Sequence, residues 1–72
     1  MQTVTRPRLV AATPPDLVGA IKTFGKFGEP YEVLCVSRPG PDGDTWMRIR
    51  LAKTGEEAEY SFLHVLDDPE AI

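Results

Sequence analysis

The sequence predicts an α+β domain: a three-stranded antiparallel meander with one amphipathic helix on its inner face and a short C-terminal helical turn. Three observations lead there. Residues 31–62 hold three runs rich in β-branched and aromatic residues, YEVLCVSR, TWMRIRLA and EAEYSF, separated by two turn-rich breaks. Leu17, Ala20, Ile21 and Phe24 recur at i, i+3, i+4 and i+7, a single helical stripe. Ser61 precedes the apolar cluster Phe62, Leu63, Val65 and Leu66, which Asp67-Asp68-Pro69 then closes.

In chain order, residues 1–12 form either an extended leader or an edge strand, since QTVT and RLVAA are interrupted by Pro7. An N-terminal strand would be the fourth of the sheet. The helix is predicted over 15–25. Thr13 and Asp16 have capping-box spacing, Pro15 suits a first turn, and Gly25 is the stop. A helix of about ten residues is too short to stand alone in water, so it must lie on the sheet. The connector Gly25-Lys26-Phe27-Gly28 has the shape of the GxxG loop with which KH domains clamp a nucleic-acid backbone. That loop joins two helices, whereas this one leads into a strand, so a helix stop and turn is the plainer reading.

A four-residue loop Lys53–Glu56 would set the second hairpin, with Ala52 facing Glu57, Arg50 facing Glu59, Ile49 facing Tyr60 and Met47 facing Phe62. One face then carries Met47, Ile49, Leu51, Ala58, Tyr60 and Phe62, and the other Arg48, Arg50, Glu57 and Glu59. The first hairpin, through Pro39–Asp44, permits two parities. In the favoured one Tyr31, Val33 and Cys35 point inward and Glu32 reaches Arg50, because the alternative drives Glu32 into the core. Leu34, Val36 and Trp46 are then left on the outer face beside the Arg–Glu pairs. Residues 62–72 supply the short helical turn and a tail expected to fray beyond Pro69.

Seventy-two residues make one domain, 1–72. A chain of this size buries only roughly 60% of its unfolded surface, which favours an added staple. One cysteine, Cys35, allows no internal disulfide, and Cys35 with His64 gives too few soft ligands for a structural metal. Self-association or a partner is the staple that remains. No segment has the length or apolarity of a signal peptide or a membrane span, so a cytoplasmic protein without membrane contact is expected. The net charge of −3 is uneven: residues 1–28 carry Arg6, Arg8, Lys22 and Lys26 against Asp16, whereas residues 29–72 carry four basic side chains against ten acidic ones. That balance makes nucleic-acid binding an unfavoured alternative and suits a basic protein partner better.

No constellation for chemistry emerges. Cys35 reads as a small buried hydrophobe and His64 as a surface partner of Asp67, with no third orienting group for a nucleophile–base pair. Asp42-Gly43-Asp44 lacks calcium-loop spacing and reads as a turn. Catalytic, cofactor-binding and metal-binding residues are accordingly expected to be none, with no small-molecule substrate. The candidate site is a protein interface of Trp46, Leu34, Val36, Arg48, Arg50 and Glu59, because tryptophan flanked by arginine is typical of binding hot spots.

The run DLVGAIKTFGKFGEPYEVL, with WMRIRL, GEEAEYSF and VLDDPEA, resembles a family of short uncharacterised bacterial proteins, over residues 16–71. The resemblance implies the same order of helix, strand and GEE-type turn, and the setting beside toxin or mobile-element genes that small bacterial proteins of this kind often have. It carries no functional motif. The expectation is a non-enzymatic protein-binding module, a small homodimer or a stoichiometric regulator of antitoxin-like or inhibitor-like type. The alternative is a small nucleic-acid-binding regulator using Arg6, Arg8, Lys22, Lys26, Arg48 and Arg50.

Overall fold

The computed structural model describes residues 12–71. Four antiparallel strands run in sheet order β1 (Ile21–Thr23), β2 (Pro30–Pro39), β3 (Thr45–Leu51) and β4 (Glu57–Ser61), followed by one helix, α1 (Phe62–Asp67). The class is α+β, with more sheet and less helix than the sequence predicts. The leader expected over 1–12 lies outside the described residues except for Ala12, so a strand there is not part of this description.

The helix predicted over 15–25 is replaced by a 3-10 turn and a strand. Thr13 and Asp16 do pair as a cap: the Asp16 carboxylate accepts from the Thr13 N–H at 2.8 Å and from its hydroxyl at 2.9 Å. What they cap is the turn Pro14–Leu17. The chain then reverses at Val18 (φ −64°, ψ 129°) and Gly19 (φ 93°), with the Ala20 N–H donating to the Leu17 carbonyl at 3.0 Å, a type II turn. Gly19 donates to the Val33 carbonyl, and Val33 donates back to the Ala20 carbonyl, which makes the turn a glycine bulge at the start of β1. A left-handed residue at that point cannot continue a helix. The β-branched Ile21 and Thr23 then favour extension. Leu17, Ala20 and Phe24 still pack on the core, while Ile21 faces solvent.

β3 and β4 keep the predicted faces but not the predicted register. Arg50 faces Glu57, Ile49 faces Ala58, Arg48 faces Glu59 and Met47 faces Tyr60, a slide of two residues that preserves every side. The loop still has four residues, now Ala52–Gly55, because Gly55 (φ 80°) takes the last loop position and closes against the Leu51 carbonyl at 2.7 Å. Met47 therefore lies opposite Tyr60, and Phe62 begins the helix.

In β2, Tyr31 and Val33 are fully buried and Glu32 meets Arg50, as the favoured parity requires. Two bulges follow, between Val33 and Cys35 and between Val36 and Arg38. The first inserts one residue, so the alternation inverts. Cys35, expected inside, faces Arg48 and is exposed. Val36, expected outside, pairs with Met47 on the core side and is 40% exposed. Asp42 and Gly43, both at positive φ (54° and 82°), turn the chain into β3.

The core is Tyr31, Val33, Met47, Ile49, Phe62 and Val65, lined by Leu17, Ala20, Phe24, Leu51 and Tyr60. Ser61 caps α1 as predicted, its hydroxyl accepting from the His64 N–H at 3.4 Å. The roof over the inner face thus comes from the 3-10 turn and α1, not from a long helix. The tail does not fray at Pro69. Thr23 donates to the Pro69 carbonyl at 3.0 Å and Ala71 to the Ile21 carbonyl at 2.9 Å, with Lys22 and Glu70 bridged between them.

Candidate functional site

Strand alternation sets five of the six predicted interface residues on the sheet face away from the core: Leu34, Trp46, Arg48, Arg50 and Glu59. Val36 is the exception, for the reason given above. Leu34 and Trp46 are half-buried, and the Trp46 indole nitrogen lies against Gly40 in the β2–β3 turn.

Around them runs a ladder of charge pairs. Arg50 reaches Glu32 at 2.8 Å, Arg48 reaches Glu57 at 3.7 Å, and Arg38 grips Glu59 at 2.8 Å. The second bulge is what lets Arg38 and its neighbour Ser37 both address Glu59, the serine hydroxyl at 2.5 Å. Hydrogen bonds from Arg38 and then Ser37 pull the Glu59 carboxyl down to about 2. Arg38, in return, is held above its ordinary value by Glu59. Each of these six charged side chains thus faces an opposite charge within 4 Å.

Cys35 and His64 do not meet. Cys35 stands on the outer face, while the His64 ring lies 5.5 Å from that of Tyr60, beside the core. Among the described residues no three His, Cys, Asp or Glu side chains converge. No helix there is long and apolar enough to cross a membrane.

Two polar clusters went unread in the sequence. Asp68 accepts from the Tyr31 hydroxyl at 2.7 Å, the Tyr60 hydroxyl at 3.1 Å and the Gly25 N–H at 3.0 Å, while the Lys22 ammonium donates to the Asp68 carbonyl at 2.9 Å. Burial, followed by the Asp68 carboxylate, holds both phenols above their ordinary value. A signal did exist: two tyrosines on the predicted core face need a polar partner for their hydroxyls. In the second cluster, Asp44 accepts from the Ser61 hydroxyl, from the Leu63 N–H at 3.2 Å and from the Thr45 N–H at 2.7 Å, so the first turn of α1 is capped from the β2–β3 turn as well. These bonds, the serine's foremost, lower the Asp44 carboxyl.

The fold and surface together define a small single-sheet domain, roofed on one face and bearing an ordered charge ladder on the other. Residues 9–72 match the model of a family described as of unknown function, DUF5397, and the chain belongs to that family. It is also similar to an uncharacterized protein of Haemophilus influenzae (strain ATCC 51907 / DSM 11121 / KW20 / Rd), 49% identical over 53 residues that take in 74% of this chain and 84% of that relative. The resemblance to short bacterial proteins of unknown function is thereby borne out.

Proposed function

We propose that the protein is a non-enzymatic protein-binding module of the cytoplasm, acting as a small homodimer or as a stoichiometric, antitoxin-like or inhibitor-like regulator of a protein partner through the outer sheet face. One observation carries the reading. The 3-10 turn Pro14–Leu17 and α1 place their core residues on the inner face, leaving Trp46 and Leu34 on the other among arginines and glutamates already paired with one another. Side chains ordered before binding lose little entropy when a partner arrives, and an aromatic amid arginine supplies the anchor. The same geometry disfavours the nucleic-acid alternative. Lys22 is 6% exposed and bonded to the tail, and Arg48 and Arg50 are engaged by glutamates, which depletes the phosphate contacts that reading needs.

The test pairs light scattering with affinity capture from the native host, comparing wild type with Trp46→Ala. A dimer, or a stoichiometric complex, that the substitution weakens tenfold or more supports the reading. A monomer at all concentrations, with the same bound proteins in both samples, overturns it.

A further inference from the structure

We infer that the margin of β1 away from β2 is a docking site for an extended acidic segment led by an aspartate, and that residues 68–71 of this chain are its resident, displaceable occupant. The inference stands apart from the outer-face reading, since it uses the opposite side and the other margin of the sheet.

The site is built from donors. Tyr31 and Tyr60 offer hydroxyls and Gly25 its N–H to one carboxylate, while Lys22 offers an ammonium to the carbonyl of the same residue. Thr23 and Ile21 supply the N–H and C=O of a strand edge. A side-chain pocket for a carboxylate beside a backbone ladder is how strand-addition sites read extended peptides. The fit is chemical: the cluster holds four donors, one of them cationic, and the carboxylate it receives comes from the tail.

The occupant is held without core burial. None of residues 68–71 belongs to the hydrophobic cluster, whereas Phe62 and Val65 of α1 do. Release of the Asp68 carboxylate and of Pro69–Ala71 therefore breaks hydrogen bonds, while the Asp68 N–H stays on the His64 and Val65 carbonyls at the end of α1 and the roof over Tyr31, Val33, Met47 and Ile49 stays in place. Segments with few apolar contacts open below the global unfolding free energy. The tether raises the tail's effective concentration to the order of millimolar, so it excludes weak competitors and yields to strong ones.

Amide hydrogen exchange on the full chain tests the separability directly. Thr23, Gly25 and Ala71 are expected to exchange at least tenfold faster than Val33, which bonds to Ala20 inside the sheet. Exchange of all four at one common rate would show the tail to be an inseparable part of the domain. The second arm titrates full-length Asp68→Ala with the acetylated peptide Asp-Pro-Glu-Ala-Ile, following the Thr23 and Gly25 resonances. Expected are saturable shifts in the variant, at least fivefold weaker binding to wild type, and none for the peptide with alanine in place of aspartate. Equal binding of both peptides, no binding at millimolar concentration, or global unfolding of Asp68→Ala overturns the site. Tyr60→Phe, which keeps the ring and loses one donor, should weaken the peptide's hold on the loosened groove when combined with Asp68→Ala; unchanged affinity there also counts against it.

Discussion

The two margins of the sheet are finished by different means. β1, only three residues long, is closed by the backbone of Pro69–Ala71 and by a half-buried polar knot at Asp68. β4, five residues long, has no strand across its outer margin among the described residues, and its glutamates are held instead by arginines from inner strands. The first margin relies on hydrogen bonds partly shielded from water, and loss of the tail would leave the buried Tyr31 hydroxyl and Lys22 ammonium without these partners. The second relies on exposed charge pairs, each small in effect, together with acidic side chains that discourage stray pairing of an edge. Damage at the β1 margin should therefore be several times costlier than damage at the β4 margin.

The largest effect is expected at Gly28. A Cβ there would stand 1.9 Å from the Phe24 carbonyl oxygen, a backbone atom that cannot turn aside. Gly28→Ala must open the β1–β2 hairpin, and with it the seat of the tail. A loss of roughly 3 kcal/mol or more follows, since strain of this kind lies in the severe tail of substitution effects. For a domain this small that is a fall in Tm of about 12 °C or more, read by thermal unfolding. A variant melting within a few degrees of wild type would show that the hairpin yields, and the contrast between margins would lose its strongest support.

Tyr31→Phe comes next. The ring keeps its packing against Phe24, 4.4 Å between centroids, and loses only the bond to Asp68. A hydrogen bond to a charged group contributes about 1.5–3 kcal/mol, so a stability loss of that size is expected, read as the fall in urea midpoint multiplied by the unfolding slope. Tyr60→Phe should cost less, because its bond is longer, at 3.1 Å, and its side chain is only half-buried. Equal losses would mean that depth of burial is not what separates the two tyrosines.

How much of this could be read beforehand depends on whether an element rests on local or distant contacts. The Thr13–Asp16 cap, the Ser61 cap and the faces of β3 and β4 were legible, because neighbours in sequence settle them. The helix over 15–25 was misread because Leu17, Ala20 and Phe24 reach the core equally well from a type II turn and a short strand. Periodicity reports which residues are buried and not the path between them. Gly19 in the middle of the stripe, between β-branched Val18 and Ile21, was the available warning. The bulges in YEVLCVSR were invisible, since a run apolar at both parities reads the same with one residue inserted. Of the predicted interface, Trp46, Leu34, Arg48, Arg50 and Glu59 do share a face, while Val36 was lost to that inserted residue. Asp68 was hidden for another reason: two of its partners, Gly25 and Tyr31, lie 43 and 37 positions away.

Acid and alkali should act on different groups. Arg38 and Ser37 hold the Glu59 carboxyl at about 2 in the folded chain against an ordinary 4.5, Asp44 is lowered as well, and the Thr13 N–H and hydroxyl lower Asp16 at the turn before β1. A carboxyl depressed by folding lends stability in full above its unfolded value and loses it as pH falls through the folded one. The β4 side should therefore weaken from about pH 4.5 down to about 2, and Glu59→Gln should flatten that limb of a urea-midpoint profile. Tyr31 and Tyr60 are raised from 10.0 by burial and by Asp68. Their contribution is complete below about pH 10 and is lost as pH climbs beyond it, so Tyr31→Phe should flatten the alkaline limb and leave the acid one alone. Acid and alkaline limbs that respond equally to both substitutions would break the assignment of each limb to its own groups.

The smallest effect is expected on the outer ladder. Arg50 and Glu32 meet at 2.8 Å, yet both side chains stay well exposed to water and salt. Such pairs couple by about 0.2–1 kcal/mol, so a double-mutant cycle through Arg50→Ala and Glu32→Ala should return a value in that range. In 1 M salt, where charges are screened over about 3 Å, the coupling should shrink further. The smallness matters for function. A face that contributes little to folding is free to be shaped by what it contacts, and substitution there can alter binding while the domain stays intact. A coupling above about 2 kcal/mol would instead make the ladder part of what holds the sheet together, and its ordered arginines would need no partner to account for them.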